Sequence, residues 1–343
     1  MTCWIDAPRS GFRYLLRDGC TVHVAGWAFV EAQAADRVAV VVDGQTVAEH
    51  VPAMPRPDVA AAHPTLADSA HRLGFEIDFA AAGLEPGAHT VAVVAQRRGC
   101  PPQRSAVIEF TAVSEDSLGT LAERFALVPD ALIYKVNGSR SLELFENIGR
   151  LTVKTMRHYV TRSPLDRVFD FGCGLGRILI PFKQQCADAR FTAFDIDAEM
   201  LRWAQFLCRD HAERYTLDTD GLDDASFDLV YAISVFTHLD TTTERWLGEI
   251  RRLLKPGGQA FITYHDETLF AEHAGTPFLP GTEKGETFEQ RFVVGRGTDE
   301  GGAAMGTYYE TAYWEDLLSR HFRVETTVSR GLLDYQSISV VRA

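Results

Sequence analysis

A loop with three glycines at alternate positions is the feature of this sequence most suited to binding a ligand. Val168–Arg177 reads VFDFGCGLGR, so an apolar run ends near Asp170, and Gly172, Gly174 and Gly176 then lead into a helical pattern. Glycine lets the backbone turn sharply and lets a ligand approach without a Cβ in the way. The following helix N-terminus adds unpaired N–H groups and a partial positive charge. The loop therefore predicts a small-molecule site at a strand-to-helix turn.

A carboxylate stands at the end of the next predicted strand. Phe191–Asp197 (FTAFDID) places Asp195 about 20 residues beyond the loop, where a carboxylate can bind two hydroxyls of a ribose. Dinucleotide-binding loops have G-x-G-x-x-G spacing, which fits a pyrophosphate. Here the spacing is G-x-G-x-G, and Asp170 stands two residues before the first glycine. This pattern favours a ligand with a cationic amino-acid moiety, and a NAD-binding Rossmann domain is the alternative.

With these motifs and others further along, the chain resembles the class I (seven-stranded) S-adenosylmethionine-dependent methyltransferases. The resemblance covers about Leu132–Arg342, and its segments are Asp170–Arg177, Asp195, Ser226–Ala232 (SFDLVYA), Ser234–Leu239 (SVFTHL) and Leu254–Gly258 (LKPGG). It implies an α/β fold with a doubly wound, mostly parallel seven-stranded sheet whose last strand is antiparallel. It also implies S-adenosyl-L-methionine as the cofactor.

The resemblance further assigns cofactor contacts position by position. Asp170 and the glycine-loop backbone would hold the methionine portion, Asp195 would bind the ribose, and Ile196 would pack against the adenine. Asp220, slightly favoured over Asp218, would lie beside the adenine amine, although both could equally be solvated loop acids. Ser234 would lie near the sulfonium. The complete predicted set is Asp170, Gly172, Cys173, Gly174, Gly176, Asp195, Ile196, Asp220 and Ser234.

Two histidines follow the strands that should border the methyl acceptor. His238 lies in SVFTHLD and His265 in FITYHDE, after the fourth and fifth strands of the predicted sheet. Ligands of open parallel sheets bind beyond the carboxyl ends of the strands. An oxygen acceptor with a high pKa loses its proton during attack, and histidine is suited to receive it. Both are candidate catalytic residues, and a structural or cofactor-lining role is the alternative for each.

Three further residues are candidates for substrate contact. Asp266 could bind acceptor hydroxyls or orient a histidine, and the aromatic pair Tyr308-Tyr309 would suit a sugar ring but also an ordinary core. Trp314 is better explained as a core residue. The Gly-rich run Gly295–Gly306 is predicted to be a flexible loop and a candidate lid. No His/Asp/Glu spacing indicates a metal site.

The spacing of the hydrophobic residues changes along the sequence and divides the chain into two parts. Residues 1–113 contain short strand patterns, with a hairpin signal at Asp43-Gly44, and predict a small β-sandwich. Pro52–Pro64 is interpreted as a loop across it. After residue 113, strands and helices alternate, which predicts a parallel sheet covered by helices. The predicted domains are 1–113 (β-sandwich), 114–162 (linker and helical cap, with Tyr134 as a candidate cofactor contact) and 163–343 (cofactor-binding domain).

Composition limits the remaining possibilities. The 343 residues carry 34 basic and 47 acidic side chains, a net charge of −13, which argues against a nucleic-acid partner. No apolar run approaches the roughly 20 residues of a membrane helix, and no signal peptide precedes the first domain. The six cysteines are scattered singly, which favours free thiols in the cytoplasm.

The first domain suggests an acceptor. Gly26-Trp27, Arg56–Val59, Gly74-Phe75 and Gly87–His89 resemble a β-sandwich module attached to enzymes of bacterial surface-polysaccharide assembly. The resemblance implies O-methylation of a sugar hydroxyl in a glycan or a nucleotide-linked sugar. The alternatives are a small-molecule natural-product methyltransferase and a β-sandwich binding or scaffolding protein with an inactive methyltransferase domain.

Overall fold

The computed structural model describes residues 3–17, 20–295 and 305–343 of the chain. The chain divides into two compact units, Met1–Leu127 and Val128–Ala343. The finer division expected from the sequence, with limits at residues 113 and 162, stays a prediction. Within the described part of the chain, every helix falls short of the length or the apolar character that crossing a bilayer requires.

The first unit is a β-sandwich. One sheet has the order β1-β3-β4 with β7 on β3, and the other has the order β2-β10-β8-β5-β6 with β9 on β8. Alternate side chains such as Val24, Val40 and Val93 point into a shared apolar core. The strands are β1 (Cys3–Ala7), β2 (Phe12–Leu16), β3 (Thr21–Val30), β4 (Gln33–Ala34), β5 (Arg37–Val42), β6 (Gln45–His50), β7 (Gly74–Ala80), β8 (Gly87–Gln96), β9 (Gln103–Arg104) and β10 (Ile108–Ser114).

The connections of the first unit confirm one expectation and correct another. Asp43 and Gly44 both have positive φ and join β5 to β6 in a hairpin, as predicted. The segment Pro52–Pro64 is not only a loop, because helix α1 (Pro57–Ala62) forms within it. Pro57 starts that helix, where its fixed φ is favourable and its missing N–H costs nothing. Helix α2 (Leu121–Phe125) follows β10, and short 3₁₀ turns span Pro64–Arg72, Ala81–Gly83 and Glu115–Ser117.

The second unit alternates helices and strands. Its elements are α3 (Asp130–Asn137), α4 (Leu142–Tyr159), β11 (Arg167–Phe171), α5 (Leu179–Gln185), β12 (Arg190–Phe194), α6 (Ala198–Cys208), β13 (Arg214–Thr216), β14 (Phe227–Ala232), α7 (Thr243–Leu253), β15 (Leu254–Asp266), α8 (Glu267–His273), β16 (Arg291–Val294), β17 (Gly306–Tyr309), α9 (Thr311–Ser319), β18 (Arg323–Leu332) and β19 (Gln336–Arg342). Short 3₁₀ turns span Arg209–His211 and Phe236–His238.

Seven of these strands form the predicted doubly wound sheet. Their order is β13-β12-β11-β14-β15-β19-β18, and the last strand, β19, is antiparallel to β15 while β11 to β15 run parallel. The chain leaves β11 for β12 on one side and later returns for β14 on the other. In such sheets the crevice beyond the carboxyl ends of the two central strands is the usual binding site.

One extension departs from the predicted sheet. Strand β15 runs on to Asp266, where it pairs with β17, which in turn pairs with β16. Together with α8 these strands enclose a small core that contains Leu269, Phe270 and Tyr308. The main core of this unit includes Trp314, which is fully buried and donates from Nε1 to Ser339 Oγ at 3.0 Å. Its predicted place in the core is confirmed.

Candidate active site

A cavity of about 590 Å³ lies beyond the carboxyl ends of β11, β12, β14 and β15. The structure brings most of the predicted site residues to this one cavity. Those that line it are Asp170, Gly172, Cys173, Gly174, Asp195, Ile196, Ser234, His238 and His265. Gly176, Asp220, Asp266, Tyr308 and Tyr309 do not line it.

The glycine loop has the strained geometry that its sequence requires. Gly172 has φ +78°, and a Cβ there would come within 2.4 Å of Val235 Cγ2. Gly176 has the same φ, and a Cβ there would come within 2.0 Å of Cys208 Sγ. Gly176 therefore shapes the loop from behind, without lining the cavity. The peptide N–H groups of Gly172 and Cys173 both donate to the carbonyl of Phe194 at 2.8 Å, which ties the loop to the end of β12.

Asp195 joins the loop to the neighbouring strand. Its Oδ2 accepts a hydrogen bond from the Gly174 N–H at 2.8 Å, and its Oδ1 accepts one from the Asp197 N–H at 3.0 Å. Burial raises the pKa of Asp195 despite these two donors. Ile196, the next residue, is exposed and presents an apolar side chain beside the carboxylate.

Asp170 is a buried carboxyl group with one unpartnered oxygen among the described residues. Only 3% of the residue is exposed, and its Oδ2 has no hydrogen-bond partner in the described structure. Burial raises its pKa to about 8; the Tyr231 hydroxyl opposes that rise, and the nearby charge of Asp195 adds to it. A cationic group in the cavity would supply the missing partner.

Two cationic side chains that line the cavity, those of Arg177 and Lys135, were not among the predicted site residues. Arg177, the residue after the third glycine, donates from Nη1 to the Val136 carbonyl at 2.8 Å, and burial lowers its pKa to about 10. Lys135 on α3 pairs with Asp197 at 2.9 Å. Tyr134, the predicted contact in this segment, is exposed and does not line the cavity. Helical phase explains the difference, because neighbouring residues of a helix face about 100° apart.

His238 also lines the cavity and is held in one orientation. It lies in the 3₁₀ turn after β14, and its Nδ1 is 2.5 Å from the carbonyl oxygen of Met305. A carbonyl can only accept, so Nδ1 carries the proton and Nε2 presents a lone pair. Burial lowers the pKa of His238, which the Met305 carbonyl only partly offsets. The side chain is therefore a neutral proton acceptor near pH 7.

His265 lies on the same cavity but in different surroundings. It is 8% exposed, and neither ring nitrogen has a hydrogen-bond partner in the described residues. Burial, reinforced by the nearby His238 and His273, lowers its pKa to about 3. The rings of Tyr308 and Tyr335 pack against it at centroid distances of 5.1 and 5.4 Å.

Residues where the last two strands connect also line the cavity, and no sequence motif indicated them. Tyr335 and Gln336 both line the cavity. Gln336 donates from Nε2 to Ser234 Oγ at 2.7 Å, and the Ser234 N–H donates to Thr263 Oγ1 at 2.8 Å. Ser234 has φ +60°, a left-handed conformation that turns the chain back over the end of β14.

The predicted substrate contact of Asp266 is not supported, because its oxygens are already occupied. It caps α8 by accepting from the N–H groups of Thr268 and Leu269, and it also accepts from the hydroxyls of Ser329 and Ser337. A fully buried carboxylate needs these donors. Asp266 therefore fixes the hairpin to β15 instead of facing a substrate.

The two tyrosines are likewise part of the protein interior. Tyr309 is fully buried, and its hydroxyl contacts Thr243 Oγ1 at 2.9 Å and donates to the Leu239 carbonyl at 3.2 Å. The Tyr308 hydroxyl lies 3.0 Å from His273 Nδ1. Tyr308 reaches the cavity only through its ring contact with His265. The core alternative considered for this pair is the one that the structure supports.

Two remaining expectations concern the loops. Asp220 is exposed and lies away from the cavity, so the described structure favours its interpretation as a solvated acid. Most of the candidate lid Gly295–Gly306 lies outside the described residues. In the described residues, no group of three or more His, Cys, Asp or Glu side chains is placed to hold a metal ion.

Comparison with known families gives this site a context. Residues 169–260, which include the glycine loop, Asp195 and His238, match the model of a methyltransferase domain. This segment of the chain is a methyltransferase domain. The sheet order around it is that of the class I fold predicted from the sequence.

Two curated relatives each match about a third of this chain. A hybrid PKS-NRPS synthetase of Penicillium citrinum is 34% identical over 120 residues, which are 32% of this chain and 3% of that protein. Ribosomal RNA small subunit methyltransferase C of Pseudomonas putida is 30% identical over 118 residues, 34% of this chain and 35% of that protein. The chain thus spans only a small part of either relative.

Solved structures show the same kind of partial likeness. A SAM-dependent methyltransferase of Methanosarcina mazei matches with 18% identity and a TM-score of 0.40, covering 55% of this chain and 96% of that one. The 1,6-didemethyltoxoflavin-N1-methyltransferase of Burkholderia thailandensis, solved with S-adenosylhomocysteine, matches with 18% identity and a TM-score of 0.42, covering 73% and 95%.

Proposed function

We propose that this protein is an S-adenosyl-L-methionine-dependent methyltransferase that transfers the methyl group to a hydroxyl oxygen. One observation carries the proposal: a single cavity is lined by the glycine loop and Asp195 and also by His238, whose pKa is lowered by burial. The loop and Asp195 suit the cofactor, and a neutral His238 suits removal of a proton from an acceptor.

The glycine loop and the residues around it fit S-adenosyl-L-methionine. The unpartnered Oδ2 of Asp170 would pair with the cationic amino group of its methionine portion. The absence of a side chain at Gly172 lets the loop pack against Val235, so that the loop backbone itself borders the cavity where that portion would lie. Asp195 would bind the ribose hydroxyls, and the exposed side chain of Ile196 would cover the adenine.

The chemistry divides between the cofactor and the protein. S-adenosyl-L-methionine, when bound, supplies a methyl group that is already activated on sulfur. The protein must align the acceptor oxygen with it and receive the acceptor's proton. His238 Nε2 is the proposed proton acceptor, and the Met305 carbonyl on Nδ1 would stabilise the imidazolium that results.

For the acceptor we propose a sugar hydroxyl in a glycan or a nucleotide-linked sugar. The support is the resemblance of the first unit to modules of surface-polysaccharide enzymes, together with a base placed for an oxygen nucleophile. A small-molecule natural product is the second candidate, favoured by the similarity to part of a hybrid PKS-NRPS synthetase. Both acceptors use the same cavity and the same base.

Two measurements test the proposal in sequence. Calorimetry with S-adenosylmethionine tests the cofactor, and no binding at millimolar cofactor would exclude the enzyme and favour a scaffolding protein. Methyl transfer from labelled cofactor to sugars, glycan extracts and small phenols then tests the acceptor. Transfer to sugars supports the glycan proposal, whereas transfer to phenols or amines alone contradicts it.

A further inference from the structure

Two neighbouring polar side chains on the cavity wall, His265 and Gln336, hold buried atoms without a hydrogen-bond partner among the described residues. Strands β15 and β19 pair antiparallel up to Tyr264 and Ser337, and His265 and Gln336 are the next residues along the two strands. Both line the cavity, and they are 8% and 7% exposed. The two ring nitrogens of His265 and the Oε1 of Gln336 are unpartnered in the described structure.

These free atoms indicate an absent ligand group. A buried polar atom that is left unpaired loses its hydrogen bonds to water without replacement, so native structures rarely contain one. The amide of Gln336 cannot turn away, because its Nε2 donates to Ser234 Oγ, which leaves Oε1 as an acceptor. A neutral imidazole offers one donor and one acceptor. The site therefore calls for a group that both donates and accepts.

A hydroxyl has both capacities. It can donate to Gln336 Oε1 while accepting from the N–H of His265. A carboxylate cannot donate, and an ether oxygen cannot donate either. An ammonium group cannot accept. Among the common groups of small molecules, a hydroxyl thus satisfies both side chains at once.

This hydroxyl is separate from the one that reacts. The Nδ1 of His238 is engaged by the Met305 carbonyl, whereas neither ring nitrogen of His265 has a hydrogen-bond partner among the described residues. Burial also holds the pKa of His265 far below that of an effective base. The two histidines therefore have different tasks, and that of His265 is recognition.

We propose that His265 and Gln336 bind a second hydroxyl of the acceptor, next to the one that is methylated, so that the preferred acceptor is a vicinal diol. This inference rests on the proposed methyltransferase function. Tyr335, 44% exposed and packed edge-on against His265, adds an aromatic surface beside this position for the ring that carries the diol.

The test compares matched probes on the whole 343-residue chain saturated with S-adenosylhomocysteine. The probes are catechol against phenol, and methyl α-D-mannopyranoside against its 2-deoxy counterpart, each titrated by calorimetry. We expect a diol to bind about tenfold or more tightly than its partner lacking one hydroxyl. Equal affinity within both pairs, or no binding of either diol, overturns the inference.

Variants assign the effect to the two residues. In Gln336→Leu and His265→Phe, we expect the affinity for the diol to fall about tenfold and to match that for the single hydroxyl. Gln45→Leu, at an exposed position of β6, is the matched control and should bind as the wild type does. Unchanged diol affinity in both variants contradicts the inference.

Binding of S-adenosylhomocysteine separates the possible failures. Both variants should keep wild-type affinity for it, which shows that the domain is folded and the cofactor end intact. If the wild-type protein does not bind S-adenosylhomocysteine, the proposed function fails. If it binds the cofactor product but does not discriminate between the probes, only the present inference fails.

Discussion

The imidazole of His238 is oriented by the main chain, because its Nδ1 lies 2.5 Å from the carbonyl oxygen of Met305. A carbonyl contact of this kind fixes one tautomer and supports the charge that develops when Nε2 takes a proton. The partner is a backbone atom, so no substitution of the Met305 side chain removes it directly. The orientation therefore depends on how the chain enters β17.

Removing this base should slow transfer while leaving the cofactor bound. For His238→Asn we expect kcat to fall about 10²–10⁴-fold, the usual contribution of a general base. The dissociation constant of S-adenosylmethionine should change less than about twofold, since His238 is not one of the residues proposed to hold the cofactor. Steady-state kinetics and calorimetry measure the two quantities. His50→Asn, at an exposed position of β6, is the control; a kcat equal to that of the control would exclude His238 as the base.

Substitution of Asp195 and of Asp220 should distinguish a cofactor contact from a surface charge. Asp195→Asn is expected to weaken S-adenosylmethionine binding about tenfold or more, because the residue also orders the loop through Gly174. Asp220→Asn makes the same chemical change at an exposed position away from the cavity and should bind as the wild type does. Calorimetry on the pair decides, and a large loss in Asp220→Asn would instead support its predicted place beside the adenine.

Cofactor affinity should rise with pH because of Asp170. Its pKa of about 8 leaves it mostly protonated at neutral pH, whereas a cationic ligand favours the carboxylate. Binding should therefore release a proton below pH 8 and become tighter as the pH approaches 8. Calorimetry in two buffers of different ionisation enthalpy measures the released proton. Asp170→Asn should bind weakly and with no such release, and a wild type whose binding releases no proton at pH 7 would contradict the assignment.

His265 should make the free energy of unfolding depend on pH in the acid range. Its pKa is about 3 in the folded chain and 6.5 in the unfolded one, so the unfolded state binds more protons between these values. The contribution of the neutral imidazole to the free energy of unfolding is complete above pH 6.5. It is lost as the pH falls towards 3, and the total loss is up to about 5 kcal/mol. Urea unfolding of wild type and His265→Phe at several pH values measures the difference. Parallel curves for the two proteins would show that the histidine is not buried in its neutral form.

Gly176 should be intolerant of a side chain for a steric reason beyond its φ. Gly176→Ala would bring a Cβ within 2.0 Å of Cys208 Sγ, and we expect a loss of about 3 kcal/mol in the free energy of unfolding. Gly257→Ala has nearly the same φ, +74°, but open space around it, and should lose only about 1 kcal/mol. Urea denaturation compares them. Adding Cys208→Ala to Gly176→Ala should restore part of the loss; no restoration would place the clash elsewhere.

The cofactor end of the site was predictable because its residues are close in sequence. Asp170 and the glycines belong to one strand-to-helix turn, and Asp195 ends the next strand, so local pattern and spacing indicate their meeting. The seven-stranded sheet was predictable for the same reason, since the period of the hydrophobic residues changes with each element.

The acceptor end could not be predicted in this way. Gln336 reaches the cavity only because β19 pairs antiparallel with β15, and its contact with Ser234 joins residues far apart in the chain. For Asp266 and Tyr309 the difficulty is that residue type does not distinguish a structural role from a ligand contact. A helix cap and a buried aromatic have the same residue types as a ligand contact, and only packing distinguishes them.

Under the proposal above, the hairpin of β18 and β19 would place acceptor recognition about 160 residues away from the glycine loop along the chain, at Tyr335 and Gln336. Gln336 bonds to Ser234, which is assigned to the methyl donor, whereas Tyr335 is not assigned to it. Substitution of Tyr335 would therefore alter which molecule is methylated while keeping every residue assigned to the donor, so descendants of this chain could diversify at this position and retain the same reaction.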